Sequence, residues 1–376
     1  MQEIKKRRIV LASVLKPVND PRMFEKMGQS LSPLYEVHII GTNANTNSSD
    51  ANIIFHPLAS YSRLGLNRML APLRVLKKIL HLKPALVIIC THELLWMVLI
   101  AKLFLRCVVV YDIRENYFRN ILYTNSFPAI LRVFIALYVR IKEWVTVPFI
   151  NTFFLAEAGY AHELPFVKNK KVLLENKVKR TTLPPQPKWS TDDGGIHLLF
   201  SGTLAPTTGI FIAIDLVTKL HALEPKICLH IIGFSPMQRV YHEIRDQIKG
   251  KSFIHFTESR EPVPHQEILR AIQKADFGII AYPPNRSTEN TIPTKLFEYL
   301  GHELPILLIN HKSWVEKCEP YHAAITFDQE RMDGKIMLDA IADRQFYSQS
   351  PEEVFWVTEE VKLLKTAATL LNNSSK

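Results

Sequence analysis

Short apolar runs alternate with helix-length stretches along the first half of this sequence, and after a segment rich in proline and glycine the alternation begins again. The first series runs 9–14, a helix over 21–31, 37–41, a helix over about 62–82, 85–90, a helix over about 94–105, and 107–113. The second runs 196–202, a helix over 209–222, 227–233, a helix over about 236–249, 252–256, a helix over 264–274, 277–282, a helix opening on Pro293, 305–310, and a C-terminal helix over 351–371. Continuous apolar runs of strand length, with helices between them, are the pattern of a parallel sheet covered on both faces. The spacing therefore predicts an α/β chain with two Rossmann-like, doubly wound parallel-sheet domains. Their expected limits are residues 1–178 with the C-terminal helix 351–372 returning to them, a linker at 179–195, and a second domain at 196–350.

With 47% hydrophobic and 22% charged residues, 376 residues supply two cores and exclude a disordered chain. Cys90, Cys107, Cys228 and Cys318 stand far apart without a C-x-x-C pair, so they are expected to be reduced thiols in a cytoplasmic protein. The basic start leads into an apolar run of only six residues, 9–14, which suits a first strand better than a signal-peptide core. Residues 94–110 approach the character of a membrane span, but Lys102 and Arg106 interrupt them.

The net charge of +10 is concentrated in front: residues 1–178 carry 24 Lys and Arg against 12 Asp and Glu, and the remainder 22 against 24. Such charge invites nucleic acid, yet no DNA- or RNA-binding module pattern appears, and no nucleic acid partner is expected. The excess sits in two stretches, 63–83 and 127–144, whose cations are interleaved with leucine, isoleucine and aromatic residues. They fit either helices lying on an anionic membrane surface or ordinary sheet-packing helices with solvated basic faces.

In an open parallel sheet, ligands bind beyond the carboxyl ends of the strands. FSGTLAPTTGI, residues 200–210, stands there: Gly202 lets the backbone approach a ligand and Gly209 opens the next helix, although glycines in such a place are also ordinary turn residues. A second loop, after the run 277–282, holds Glu289 and Asn290 and leads into the Pro293 helix. Proline marks the helix start, and the amides of Thr294, Lys295 and Leu296 are predicted to face an anion, with Lys295 adding a full charge. Glu298, one turn further on, is placed either to accept two ribose hydroxyls or to sit in solvent paired with Lys295. A helix N-terminus with a lysine can hold such an anion without a metal. No Asp-x-Asp follows an apolar strand, and the Asp192–Asp193 doublet reads as a linker turn.

The run N-x-x-P-x-K-L-F-E-Y-L at 290–300, with SGT…GI at 201–210 and IIG at 231–233, resembles the donor half of the GT-B fold glycosyltransferases and is most similar to family 4 of the retaining enzymes. NDPRMFEKMGQSL at 19–31, YDIREN at 111–116 and Asn176 at a strand end extend the resemblance to the first half. It implies a metal-independent retaining enzyme of the hexosyltransferase type, with two domains facing a central cleft. Such an enzyme moves a sugar from a nucleotide-diphospho-sugar to a glycan or lipid-linked glycan acceptor on the cytoplasmic face of a membrane, in cell-surface polysaccharide or glycolipid synthesis. No cofactor is implied beyond that co-substrate.

Position by position, the resemblance places Glu298 on the ribose and Asn290 where the family's first glutamate meets the sugar, with Glu289 adjacent. Thr203 and Thr208 occupy positions where many members carry an arginine and a lysine that clamp the diphosphate, so that role falls to Lys295, to backbone amides and to an arginine of the other domain. These departures also fit a relative that binds nucleotide sugars and has lost catalysis. On the acceptor side, Arg114 stands where the family segment has a histidine and is expected to meet sugar or diphosphate. Glu115 is expected at an acceptor hydroxyl. Arg22, and His92 at a strand end, are further cleft candidates. Asp20 doubles as an N-cap ahead of Pro21.

Overall fold

The computed structural model describes residues 6–42, 50–59, 61, 66–124, 127–180, 183–189, 194–259, 261–343 and 345–374; the Asp192–Asp193 doublet and residues 63–65 of the first basic stretch lie outside them. The chain divides into two compact units, one of Met1–Lys179, Asn285–Thr291 and Trp356–Lys376, the other of Arg180–Pro284 and Ile292–Phe355.

The first unit is built on seven strands, β1 (Arg8–Pro17), β2 (Glu36–Thr42), β3 (Ile53–Leu58), β4 (Leu86–Ile89), β5 (Val108–Ile113), β6 (Thr152–Leu155) and β7 (Lys171–Leu173). They pair in the order β3-β2-β1-β4-β5-β6-β7, every pair parallel. Because side chains alternate across a strand, β1 divides its apolar run between two cores. Ile9 and Leu11 pack with Met23, Met27 and Leu31, whereas Val10 and Ala12 pack with Val75, Ile79 and Val98 of the helices α1 (Leu66–Leu82) and α2 (Leu95–Leu105). The helix predicted over 21–31 forms as a wide π-helical turn, Arg22–Gly28, closed by the turn Gln29–Leu31. Two further helices, α3 (Tyr117–Tyr123) and α4 (Ala129–Thr146), pack on each other, and α4 also lies along α2.

The orientation of α4 reverses one expectation. Every exposed residue of this helix is non-polar, whereas Lys142, Glu143 and Thr146 are buried. Its face is therefore not the solvated basic one that the stretch 127–144 suggested.

The second unit carries six parallel strands, β8 (Ile196–Thr203), β9 (Ile227–Phe234), β10 (Ile254–Ser259), β11 (Phe277–Ile280), β12 (Ile306–Ile309) and β13 (Ala324–Phe327), in the order β10-β9-β8-β11-β12-β13. Its helices are α5 (Ile210–Leu223), α6 (Gln238–Ile248), α7 (His265–Lys274), α8 (Thr294–Gly301), α9 (Lys312–Cys318) and α10 (Gly334–Asp343). The predicted C-terminal helix begins with a separate turn, Glu352–Val354. It then runs as α11 (Val357–Asn373), whose Leu363, Ala367 and Leu371 join the core of the first sheet. Strands β3, β6, β7 and β13 have no counterpart among the predicted runs. No helix among the described residues is long and apolar enough to cross a membrane.

Candidate functional site

Strand order reverses between β8 and β11 in the second sheet, and open parallel sheets bind ligands beyond the carboxyl ends of the strands at such a point. The loop 200–210 and the two ends of the second loop, at Ala281 and Pro293, belong to this point, whereas the segment Asn285–Thr291 between those ends groups with the first unit. The two loops are held together at Gly209, whose φ of 82° only glycine adopts readily and whose missing side chain would collide with the Ala281 carbonyl just after β11. At Gly202, φ is 94°, and a side chain there would strike Lys295, with its Cβ only 2.7 Å from Lys295 Cε. The lysine thus lies directly over bare backbone.

Lys295 makes no hydrogen bond or ion pair with any described residue. Burial draws its pKa below the usual lysine value, against the pull of the Glu298 carboxylate. An ammonium held partly out of water without a partner is an unfavourable arrangement unless an anion completes it. The helix start supplies further donors. Pro293, with ψ of 134°, precedes the first helical residue, and the amides of Thr294 and Lys295 have no acceptor among the described residues. The third predicted donor is corrected: the Leu296 amide bonds the Pro293 carbonyl at 2.9 Å.

Glu298 is not paired with Lys295. Its Oε1 accepts from His265 Nε2 at 3.0 Å, at the first residue of α7. Behind it, Tyr299 is fully buried and its hydroxyl lies 3.2 Å from Ser201 Oγ, fixing α8 to the end of β8. Thr208 is not available to a ligand in the way the family's lysine would be, because its hydroxyl donates to the Thr203 carbonyl at 2.8 Å and accepts from the Ala205 amide at 3.1 Å. Thr203 and Thr294 are exposed.

In the first unit, the reversal falls between β1 and β4, and Asp20 and His92 follow those strands. The two arginines expected to face a ligand are instead paired within the protein. Arg22, 3% exposed, forks onto Asp112 with Nη2 to Oδ1 at 2.7 Å and Nε to Oδ2 at 3.0 Å, and donates to the Leu174 carbonyl at 2.9 Å. Arg114 binds Asp112 Oδ2 at 3.0 Å and Asp20 Oδ1 at 2.8 Å. Asp112 is fully buried; burial alone would raise its pKa, but the two guanidinium groups hold it below the usual carboxylate range. Asp20 accepts the Met23 amide at 3.0 Å, as a helix cap does. One nitrogen of each arginine, Nη1 of Arg22 and Nη2 of Arg114, is buried without a partner.

His92 is also engaged. Its Nδ1 accepts from Lys142 Nζ at 2.9 Å and its ring meets Tyr117 edge-on, while burial lowers its pKa to about 4, so the imidazole is neutral at pH 7. Glu115 remains at the rim, accepting from Asn120 at 2.8 Å. The segment Asn285–Thr291 belongs to this unit. Within it, Asn290 donates to Glu163 Oε1 at 2.7 Å, and Glu289, 62% exposed at its side chain, lies 3.6 Å from Arg119. Arg119 also pairs with Glu163.

Sequence reasoning overlooked His265, Asp112 and Glu163. The first had a visible signal, a histidine opening a helix behind Pro264, whereas the other two act only through partners distant in sequence. Among the described residues, no three His, Cys, Asp or Glu side chains gather into a metal-binding group. Cys90, Cys107 and Cys318 are buried free thiols, and Cys228 is partly exposed.

No protein-family profile matches the chain, and no curated protein matches it significantly. Solved structures do. Sucrose-phosphate synthase from Thermosynechococcus elongatus superposes with a TM-score of 0.70 at 11% identity, covering 98% of this chain and 100% of that one. HepE of Anabaena, in complex with UDP and glucose, gives 0.67 at 14% identity over 96% and 99%. The lipopolysaccharide outer core galactosyltransferase WaaB in its ligand-free form gives 0.57 at 11% identity over 96% and 99%. The strand orders, the two parallel-sheet units and these superpositions together identify the fold of this chain as GT-B.

Proposed function

We propose that this chain is a glycosyltransferase that takes a sugar from a nucleotide-diphospho-sugar and passes it, with retention of anomeric configuration, to a glycan or lipid-linked glycan. The observation that carries this reading is the unpaired Lys295 ammonium lying over Gly202 beside the open amides of Thr294 and Lys295. That set of donors suits the two negative charges that grow on a departing nucleoside diphosphate. Glu298, already oriented by His265, is offered to the ribose hydroxyls. In this reading no divalent cation is needed, because lysine and helix start supply the positive charge.

The fold relatives direct the first experiment. Structures of HepE hold UDP and UDP-glucose, so uridine nucleotides are the first to try here. A thermal-shift series with UDP, ADP and GDP should show one nucleotide raising the melting temperature, since a ligand at 100 times its Kd stabilises by about 2.7 kcal/mol. Incubation of that donor with acceptor extracts should then yield a product whose anomeric configuration, read by NMR, matches the donor. Stabilisation by none of the nucleotides would overturn the reading.

A further inference from the structure

Helix α4 is inside out. Ile130, Phe134 and Ile141 are 82%, 69% and 60% exposed, while Lys142 and Glu143 on the opposite face are each 3% exposed. The apolar surface continues onto α2, where Leu103 and Phe104 are 76% and 74% exposed, and Lys102 Nζ of α2 donates at 2.7 Å to the carbonyl of Phe149, in the turn that follows α4. Exposed non-polar residues scattered singly are ordinary, but a continuous face of this kind marks a surface that is covered in use.

Charge says what covers it. Apart from Lys142, buried beside the single acid Glu143, the cations of α1, α2 and α4 are Arg68, Arg74, Lys77, Lys78, Lys102, Arg132 and Arg140. A second copy docking through this face would set the same cations against one another with no exposed acid on these helices to answer them. An anionic bilayer answers both features, accepting apolar side chains below its headgroups and cations among them. Tyr138 and Trp144, exposed on α4, are residue types that favour that boundary.

We infer that the α2–α4 face, flanked by the cations of α1, is a docking surface for an anionic phospholipid bilayer, on which α4 lies without crossing. The inference does not depend on the donor reading, since every residue it uses belongs to the first unit.

The test is co-sedimentation of the full chain with vesicles of phosphatidylcholine alone or mixed with phosphatidylglycerol. The wild-type protein should pellet with the mixed vesicles and remain in solution with the neutral ones. A triple variant, F134S/I141S/W144S, should lose binding by ~100-fold or more, since each exposed side chain buries several methylene equivalents. A second variant, R74Q/K77Q/K78Q, should weaken binding by roughly fivefold per cation, the equivalent of about 1 kcal/mol each. Because these positions are at the surface, far-ultraviolet circular dichroism and melting temperature should stay at wild-type values. Equal binding to both vesicle types, or to neither, overturns the inference. So does self-association in sedimentation velocity that the serine variant abolishes, which would assign the face to a second copy.

Discussion

Replacing Lys295 by methionine separates a binding site from a structural contact, because the two predict opposite signs. The side chain lies over Gly202 with an ammonium that no described residue satisfies, and burial lowers its pKa. Methionine keeps the stem and removes a charge that is partly desolvated, so the ligand-free protein should melt at the same temperature or higher. The sign in pH agrees. A lysine whose folded pKa is depressed sheds its proton earlier in the folded state, so wild-type stability rises as pH climbs towards lysine's ordinary value, and the variant should lose that rise. Nucleotide binding should move the other way. Losing one charge-assisted hydrogen bond to a diphosphate costs about 1.5–3 kcal/mol, or roughly 10- to 150-fold in Kd. Turnover should fall further than affinity, since the charge Lys295 faces increases in the transition state. Calorimetric titration with the stabilising nucleotide, beside thermal melts of the free protein, reads both signs. Unchanged affinity, or a free protein destabilised by several kcal/mol, would show that the ammonium serves the fold and not a ligand.

Glu298→Ala should weaken the nucleoside diphosphate by roughly 1.5–3 kcal/mol in the same titration while leaving the melt nearly unchanged, and unaltered affinity would remove Glu298 from the site. Asp112→Asn leaves two buried guanidinium groups without their carboxylate, so urea unfolding should show a loss of about 3–5 kcal/mol; a loss below about 1 kcal/mol would mean that the cluster relaxes into water. Transfer activity should persist in excess EDTA, and loss of activity restored by magnesium or manganese would relocate the diphosphate chemistry.

The central strands were legible because they are continuous apolar runs buried on both faces, as β1, β5 and β8 show. Strand β3 was not, since IIFHPL holds a proline and half-exposed positions at a sheet edge, where pattern is weakest. The four-residue strands β6 and β13 are too short to stand out. The amphipathic character of α4 was visible in the sequence, but periodicity gives only the division between faces. Which face turns inward depends on neighbours, and here Tyr111 and His92 receive Glu143 and Lys142. The loops after β8 and β11 were legible through their glycines and the lysine after proline, because these are local requirements. The pairing of Arg22 and Arg114 through Asp112 was not legible, because the carboxylate between them is set by strand order, which brings β5 near the loop after β1 across β4.

The contact of Gly209 with the Ala281 carbonyl has a bearing on how this protein could be re-engineered. One loop rests on the backbone of the other with no side chain between them to yield, so neither can be exchanged as a separate cassette. A graft of residues 203–209 alone would arrive with its curvature fitted to a different partner. Altering what this point of the sheet binds therefore calls for transplanting both segments as a matched pair, with position 209 kept as glycine.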